Sequence, residues 1–317
     1  MLVSDREDWV DRFRESDRRM PLFDRQGNTL TYDDLLTTAP PGAEERVTPD
    51  RMQRAFDETE QAIAKLRHDI EATEMDALII VGDDQHELFQ DTLMPALAIY
   101  YGDSIRNAAQ PDESPDDWYR RAQLRRREPG GDVQYPAHSA LGLHLLKGLS
   151  ARDFEVTAVK ALAPGQFEGH AYSYIHRTYL QRRRELPVVP IFLNTYYPPN
   201  PPRPARCVAL GRHLAELIAS FPSKLRVGII ASGGLSHFVV DEELDRGLLA
   251  AFENRDLDYL ASVDPERLKA GSSEIRSWMV TAAAAAGAKL DLAWSCYIPA
   301  YRTPALTGTG LAFVRWS

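Results

Sequence analysis

The chain has 317 residues, 37 Lys+Arg against 46 Asp+Glu, and a formal charge of −9. That length fits one large α/β domain or two small ones, and a hydrophobic fraction of 44% can bury a substantial core. The acidic balance excludes a broad nucleic-acid surface, which needs clustered Lys and Arg to displace counterions.

Residues 1–49 are polar, with a turn signal at Gly27-Asn28 and the pair Pro40-Pro41, so short helices and loops are expected there. Thr48 is placed to N-cap a helix running to about Thr73, with Met52, Phe56, Ile63, Leu66 and Ile70 near helical spacing. Met75–Gly82 is a short apolar run between polar flanks, the pattern of a strand buried on both faces. The basic run Arg120–Arg121 and Arg125–Arg127, beside acidic 112–117, reads as a solvated helix face. Further buried strands are expected at Phe154–Val159, Pro187–Leu193, Leu225–Ala231 and Leu311–Val314. Helical patterns fall at Ser139–Gly148, Ala205–Ser220, Asp241–Glu253 and Ser272–Ala286. Strands alternating with helices predict one α/β domain over residues 1–317. Its central sheet should be mixed, mostly parallel and covered by helices on both faces.

Cys207 and Cys296 stand far apart in no paired motif, which excludes a disulfide framework or thiolate zinc site and fits a reducing cytoplasm. The charged opening, Met1–Arg14, lacks the apolar stretch of a secretory signal. No apolar run approaches the roughly 20 residues of a membrane span.

In open α/β sheets, ligands bind beyond the carboxyl ends of the strands. His86 falls there, just past Gly82, and His237 falls just past the Gly233-Gly234 turn. Each alone is as readily a solvated or hydrogen-bonded loop histidine; two at equivalent strand ends point to a site. Asp83, Asp84 and Glu87 are placed to orient an imidazole. His170, after Gly169, follows a third strand and is favoured over His176 as facing the site. His68 and His213 read as surface positions, and His138 and His144 as packing or capping. Glu274 follows Gly271-Ser272-Ser273 in the first turn of a helix, where it either complements the helix dipole or faces the site. Two histidines and a carboxylate can hold Fe(II) on one face and leave positions open, with a separate histidine handling protons.

The segments GDDQHELF (82–89), GHAYSYI (169–175), LNTYYPPNPPRPARCVALG (193–211), SGGLSHF (232–238), GSSEIRSW (271–278) and YIPAYRTPALTGTG (297–310) occur in this order. With that order and spacing the chain resembles the class III extradiol dioxygenases, within them the catalytic subunit of the protocatechuate, gallate and methylgallate type. The resemblance implies Fe(II) as cofactor, with His86 and Glu274 as metal ligands. It implies His237 as the acid/base and His170 as a histidine contacting substrate. The implied reaction opens the ring of a small aromatic acid, with both atoms of O₂ entering the product. It also implies that a homo-oligomer or a small accessory subunit can complete the assembly. Arg302, in the loop Tyr297–Thr303, is a candidate partner for a substrate carboxylate because its planar fork suits bidentate pairing. The family has different residues there.

One departure stands out. The family's first iron histidine ends an N-terminal strand in a Ser-His-x-Pro-like motif, and this chain has no histidine before His68. The reading favoured here is a late start at an internal methionine; the other is true loss of that ligand. Loss would make the chain a non-catalytic binding member of the fold. A hydrolase holding another divalent metal at His86 and Glu274 is a third alternative.

Overall fold

A computed structural model describes residues 2–20, 22–24 and 26–317. Its centre is a five-stranded sheet of β1 (Ala77–Asp83), β2 (Leu97–Tyr100), β3 (Thr157–Val159), β4 (Val188–Leu193) and β5 (Val227–Ala231), in the order β3-β2-β4-β1-β5. Every adjacent pair is parallel except β2 with β4. The expected mixed, mostly parallel sheet is the one observed.

The alternation of side chains along a strand sorts the apolar run of β1 onto two cores. Ala77, Ile79 and Val81, with Val189, Ile191 and Leu193 of β4, face helices Ser139–Ser150, Pro204–Ala219, Glu242–Asn254 and Ile275–Gly287. Leu78 and Ile80, with Val188 and Phe192, face helices Pro49–Ala72 and His170–Tyr179 and a second sheet. Ile79 and Ile80 are both fully buried, which explains why neither side of this strand carries a polar residue before Asp83 at its end. The long helix starts where expected: Thr48 Oγ1 accepts the Arg51 N–H at 3.4 Å, and Pro49 fills the first turn. No helix of the described residues is long and apolar enough to cross a membrane.

Leu311–Val314 is a strand as expected, but it lies outside the central sheet. It lies within β8 (Thr307–Trp316), the middle strand of an antiparallel sheet with β6 (His237–Val239) and β7 (Leu292–Tyr301). The connection from Tyr301 to Thr307 is too short for a parallel crossover, so β7 folds straight back into β8. β2 was not anticipated from the sequence; its four residues are wholly buried and too few to show a period. The run Phe154–Val159 contributes only its last three residues to the sheet.

β5 is an edge strand, and all five of its residues are half-buried. β8 meets β6 only over Thr307–Thr309, so among the described residues its far half has a strand on one side alone. A cavity of about 1200 Å³ is lined by β5 and this half of β8 and reaches the carboxyl ends of β1 and β5.

Candidate active site

Three elements converge at that end of the sheet. Asp83 closes β1, His170 opens helix His170–Tyr179, and Glu274 ends a short 3-10 turn, Ala270–Glu274. Each offers one ligand atom, and these atoms lie within 4.8 Å of one another. Asp83 is buried. Its Oδ1 lies 3.3 Å from His170 Nε2 and receives no hydrogen bond from the described residues. Glu87 Oε2 sits 2.7 Å from His170 Nδ1 and also accepts the His170 backbone N–H at 2.8 Å. In the neutral imidazole the proton therefore belongs on Nδ1, and Nε2 is aimed at the group. Burial opposes charge on this imidazole, but the Asp83 and Glu87 carboxylates outweigh burial and hold its pKa well above the ordinary value.

Glu274 is fixed from the other side: its Oε2 accepts the Gly234 N–H at 2.7 Å. Gly233 has φ +150°, and a Cβ there would lie 2.8 Å from the same oxygen, so only glycine lets the carboxylate approach. His237 Nε2 lies 3.5 Å from Glu274 Oε1. His237 Nδ1 is 2.8 Å from the Leu235 carbonyl and donates to it, leaving Nε2 to exchange protons. Burial pulls the His237 pKa down, yet Glu274 and the Leu235 carbonyl together raise it above the ordinary value. Ser272 Oγ accepts the His237 N–H and donates to the His237 carbonyl, both at 2.9 Å. A Cβ on Gly271 would come within 2.1 Å of His237 Cδ2, so this contact also needs glycine.

The helix expected from Ser272 thus begins later, at Ile275. Ser272 serves His237, and Ser273 Oγ donates to Thr195 Oγ1 at 3.2 Å, so neither hydroxyl caps the helix. Glu274 faces the site. Two carboxylates and one imidazole, with an orphaned buried oxygen among them, suit a divalent cation.

The structure brings together His170, His237 and Glu274 of the expected residues and adds Asp83. It does not bring His86 into the group. His86 has φ 59°, its ring stacks on Tyr197 with centroids 3.8 Å apart, and its Nε2 lies 3.2 Å from the exposed Asp91. Its loop is shaped by Asp84, whose carboxylate accepts the Leu88 and Phe89 N–H groups at 2.9 and 3.1 Å; burial pushes that carboxyl up to about 6. Glu87 orients an imidazole as anticipated, but that of His170. Arg302 lines the cavity but is 3% exposed, and its Nε donates to Asp17 Oδ2 at 2.8 Å. His176 is buried elsewhere, against Glu168 at 2.7 Å and stacked on Tyr135. His138 caps its helix, its Nδ1 accepting the Leu141 N–H at 3.2 Å. Arg126, read as solvated, also lines the cavity.

Comparison with known proteins bears on the same residues. One similar protein is a 2,3-dihydroxyphenylpropionate/2,3-dihydroxicinnamic acid 1,2-dioxygenase of Comamonas testosteroni, 24% identical over 210 residues. The match takes in 66% of this chain and 54% of the relative, so the chain spans about half that relative's length. Residues 37–300 match the family described as the catalytic LigB subunit of aromatic ring-opening dioxygenase, a span that holds Asp83, His86, His170, His237 and Glu274 and stops short of Arg302. Matched over well more than half its length, the chain belongs to the family of catalytic LigB subunits of aromatic ring-opening dioxygenases.

Proposed function

We propose that the protein is an Fe(II)-dependent extradiol dioxygenase acting as one catalytic domain. It opens the ring of a catechol-type aromatic acid of the gallate, methylgallate or protocatechuate class, or of the dihydroxyphenylpropionate class named for its relative. The observation that carries this reading is the meeting of Asp83, His170 and Glu274 within 4.8 Å, with His237 beside Glu274, at the wall of a large cavity. Asp83, His170 and Glu274 would hold the metal. When bound, it would supply Lewis-acid chemistry to a catecholate and O₂.

The protein's own part is positional and protonic. Glu87 fixes the His170 tautomer and keeps Nε2 on the group. Gly234 anchors Glu274 by its backbone N–H. His237, held at Nδ1 by Leu235, presents Nε2 to take a proton from a substrate hydroxyl and return it later in the cycle. Both atoms of O₂ enter the product as the ring opens beside the two hydroxyls.

Oxygen uptake with gallate, methylgallate, protocatechuate and 2,3-dihydroxyphenylpropionate, after anaerobic iron loading, tests the reading. Uptake matched to ring-opened product is expected. Stoichiometric iron with no uptake on any catechol overturns it. A second reading, a hydrolase using another divalent cation, draws on the preponderance of carboxylates in the donor set. Elemental analysis of the purified protein separates the two.

A further inference from the structure

Three consecutive arginines follow the helix Trp118–Leu124, and each has a different setting. Arg125 Nη1 donates to Asp5 Oδ1 at 2.9 Å. Arg127 lies over the Phe167 ring, 4.5 Å from its centroid. Arg126 lines the cavity, where it senses Glu87, Tyr119, Asp83 and Glu274. Its guanidinium forms no hydrogen bond or ion pair with the described residues.

A guanidinium that lines a cavity and has no partner of its own is suited to an incoming anion. None of the neighbouring carboxylates pairs with it, and each has contacts elsewhere. Glu87 serves His170, Glu274 serves Gly234, and Asp83 faces His170 Nε2 and the Gln85 amide. Arg302, the other arginine near this site, is bound by Asp17 through Nε, and its Nη2 is buried without a hydrogen-bond partner among the described residues. A divalent cation on the acidic group would offset two of the three carboxylates and leave the Arg126 charge for a ligand. Trp118, Tyr119 and Tyr196 line the same space and give an aromatic ring flat apolar surfaces.

We infer that Arg126 anchors the carboxylate of an aromatic acid whose hydroxyls face Asp83, His170 and Glu274. The inference rests on the ring-cleavage reading for the ring's orientation, and the anion site itself rests on the free guanidinium. The fork of Arg126 pairs with both carboxylate oxygens, so the protein selects catechols that carry an acid over those that do not.

The test uses 3,4-dihydroxybenzoate and its methyl ester, nearly alike in shape and different by one charge. Each is titrated calorimetrically, without oxygen, into the iron-loaded full chain, its Arg126→Gln variant and its Arg126→Lys variant. Thermal melts confirm that the variants fold. The native chain should bind the acid at least about 10-fold more tightly than the ester. Arg126→Gln should weaken the acid by about 10- to 100-fold and leave the ester within about two-fold, with Arg126→Lys between. Equal weakening of acid and ester, no preference in the native chain, or a preference that survives Arg126→Gln overturns the inference. Oxygen uptake on the same samples keeps the two proposals apart. Arg126-dependent acid binding without uptake sinks the dioxygenase reading and leaves the anion site. Uptake without charge preference does the reverse.

Discussion

His170 is clamped between two carboxylates, with Glu87 on Nδ1 and Asp83 on Nε2, and the two contacts do different work. Glu87 orients the ring and Asp83 shares the ligand position. Glu87→Gln should therefore keep the protein folded and lower metal affinity about 10- to 100-fold, measured by competition with a chelator. His170→Ala should lower it further, whereas His86→Ala should leave it unchanged; metal loss in His86→Ala would return that residue to the ligand set. His237→Ala should cut turnover by about 10²- to 10⁴-fold with metal content unaltered. Metal loss in that variant would make His237 a ligand and not a proton carrier. At this scale the sequence was informative about residue type and poor about partners. Gly233 and Gly234 before His237 allow a tight turn and a close approach, and the structure shows Glu274 making it. Asp83 looked like an orienting residue because it lies so near His86, and only the fold shows that its side chain meets His170 from a distant helix.

Elements read well where one physical pattern dominated. β1 was legible because both its faces are buried, and helix Pro49–Ala72 because its cap and stripe agree. The run Leu311–Val314 signals the strand that β8 is but not its sheet, because an apolar run does not record which sheet it joins; the short turn before it does. The helix Pro49–Ala72 is tied to the β7–β8 hairpin by Asp69, a contact no local pattern signals. Its Oδ2 accepts the Trp294 Nε1–H at 2.7 Å, and its Oδ1 lies 3.1 Å from Arg315 Nη1. Burial raises the Asp69 pKa, but Trp294, Arg315 and Lys65 outweigh burial and hold it below the ordinary carboxylate value. A carboxylate depressed in the folded state adds stability that is complete above its unfolded pKa of about 3.9 and is lost as pH falls through the folded value. Asp69→Asn should therefore cost about 1 kcal/mol at pH 7, with the gap to the native chain closing below about pH 4 in urea unfolding. A gap that widens on acidification would show that the contact does not depend on the charge.

At the scale of the whole molecule, the sheet places the site and the cavity extends away from it along β5. The alternation of strands and helices foretold the central sheet, and the site lies beyond the carboxyl ends of β1 and β5, as open α/β sheets dictate. The cavity was not foretold, because it arises from pairing that stops: among the described residues β5 has one strand neighbour, and β8 loses β6 after Thr309. Half-paired strands have a signature in isotope exchange. The Ser232 amide donates to the Val81 carbonyl at 2.9 Å. By the two-residue period of a strand, the Gly228 and Ile230 amides point the same way, and those of Ile229 and Ala231 point outward to the cavity. In deuterated solvent the strand should exchange in alternation, Ile229 and Ala231 fast and Gly228 and Ile230 slow, as resolved by NMR. A ligand that fills only the catalytic end would leave the Ile229 amide open. One that runs the length of β5 would protect it, so a single backbone proton reports how far into this molecule its ligand reaches.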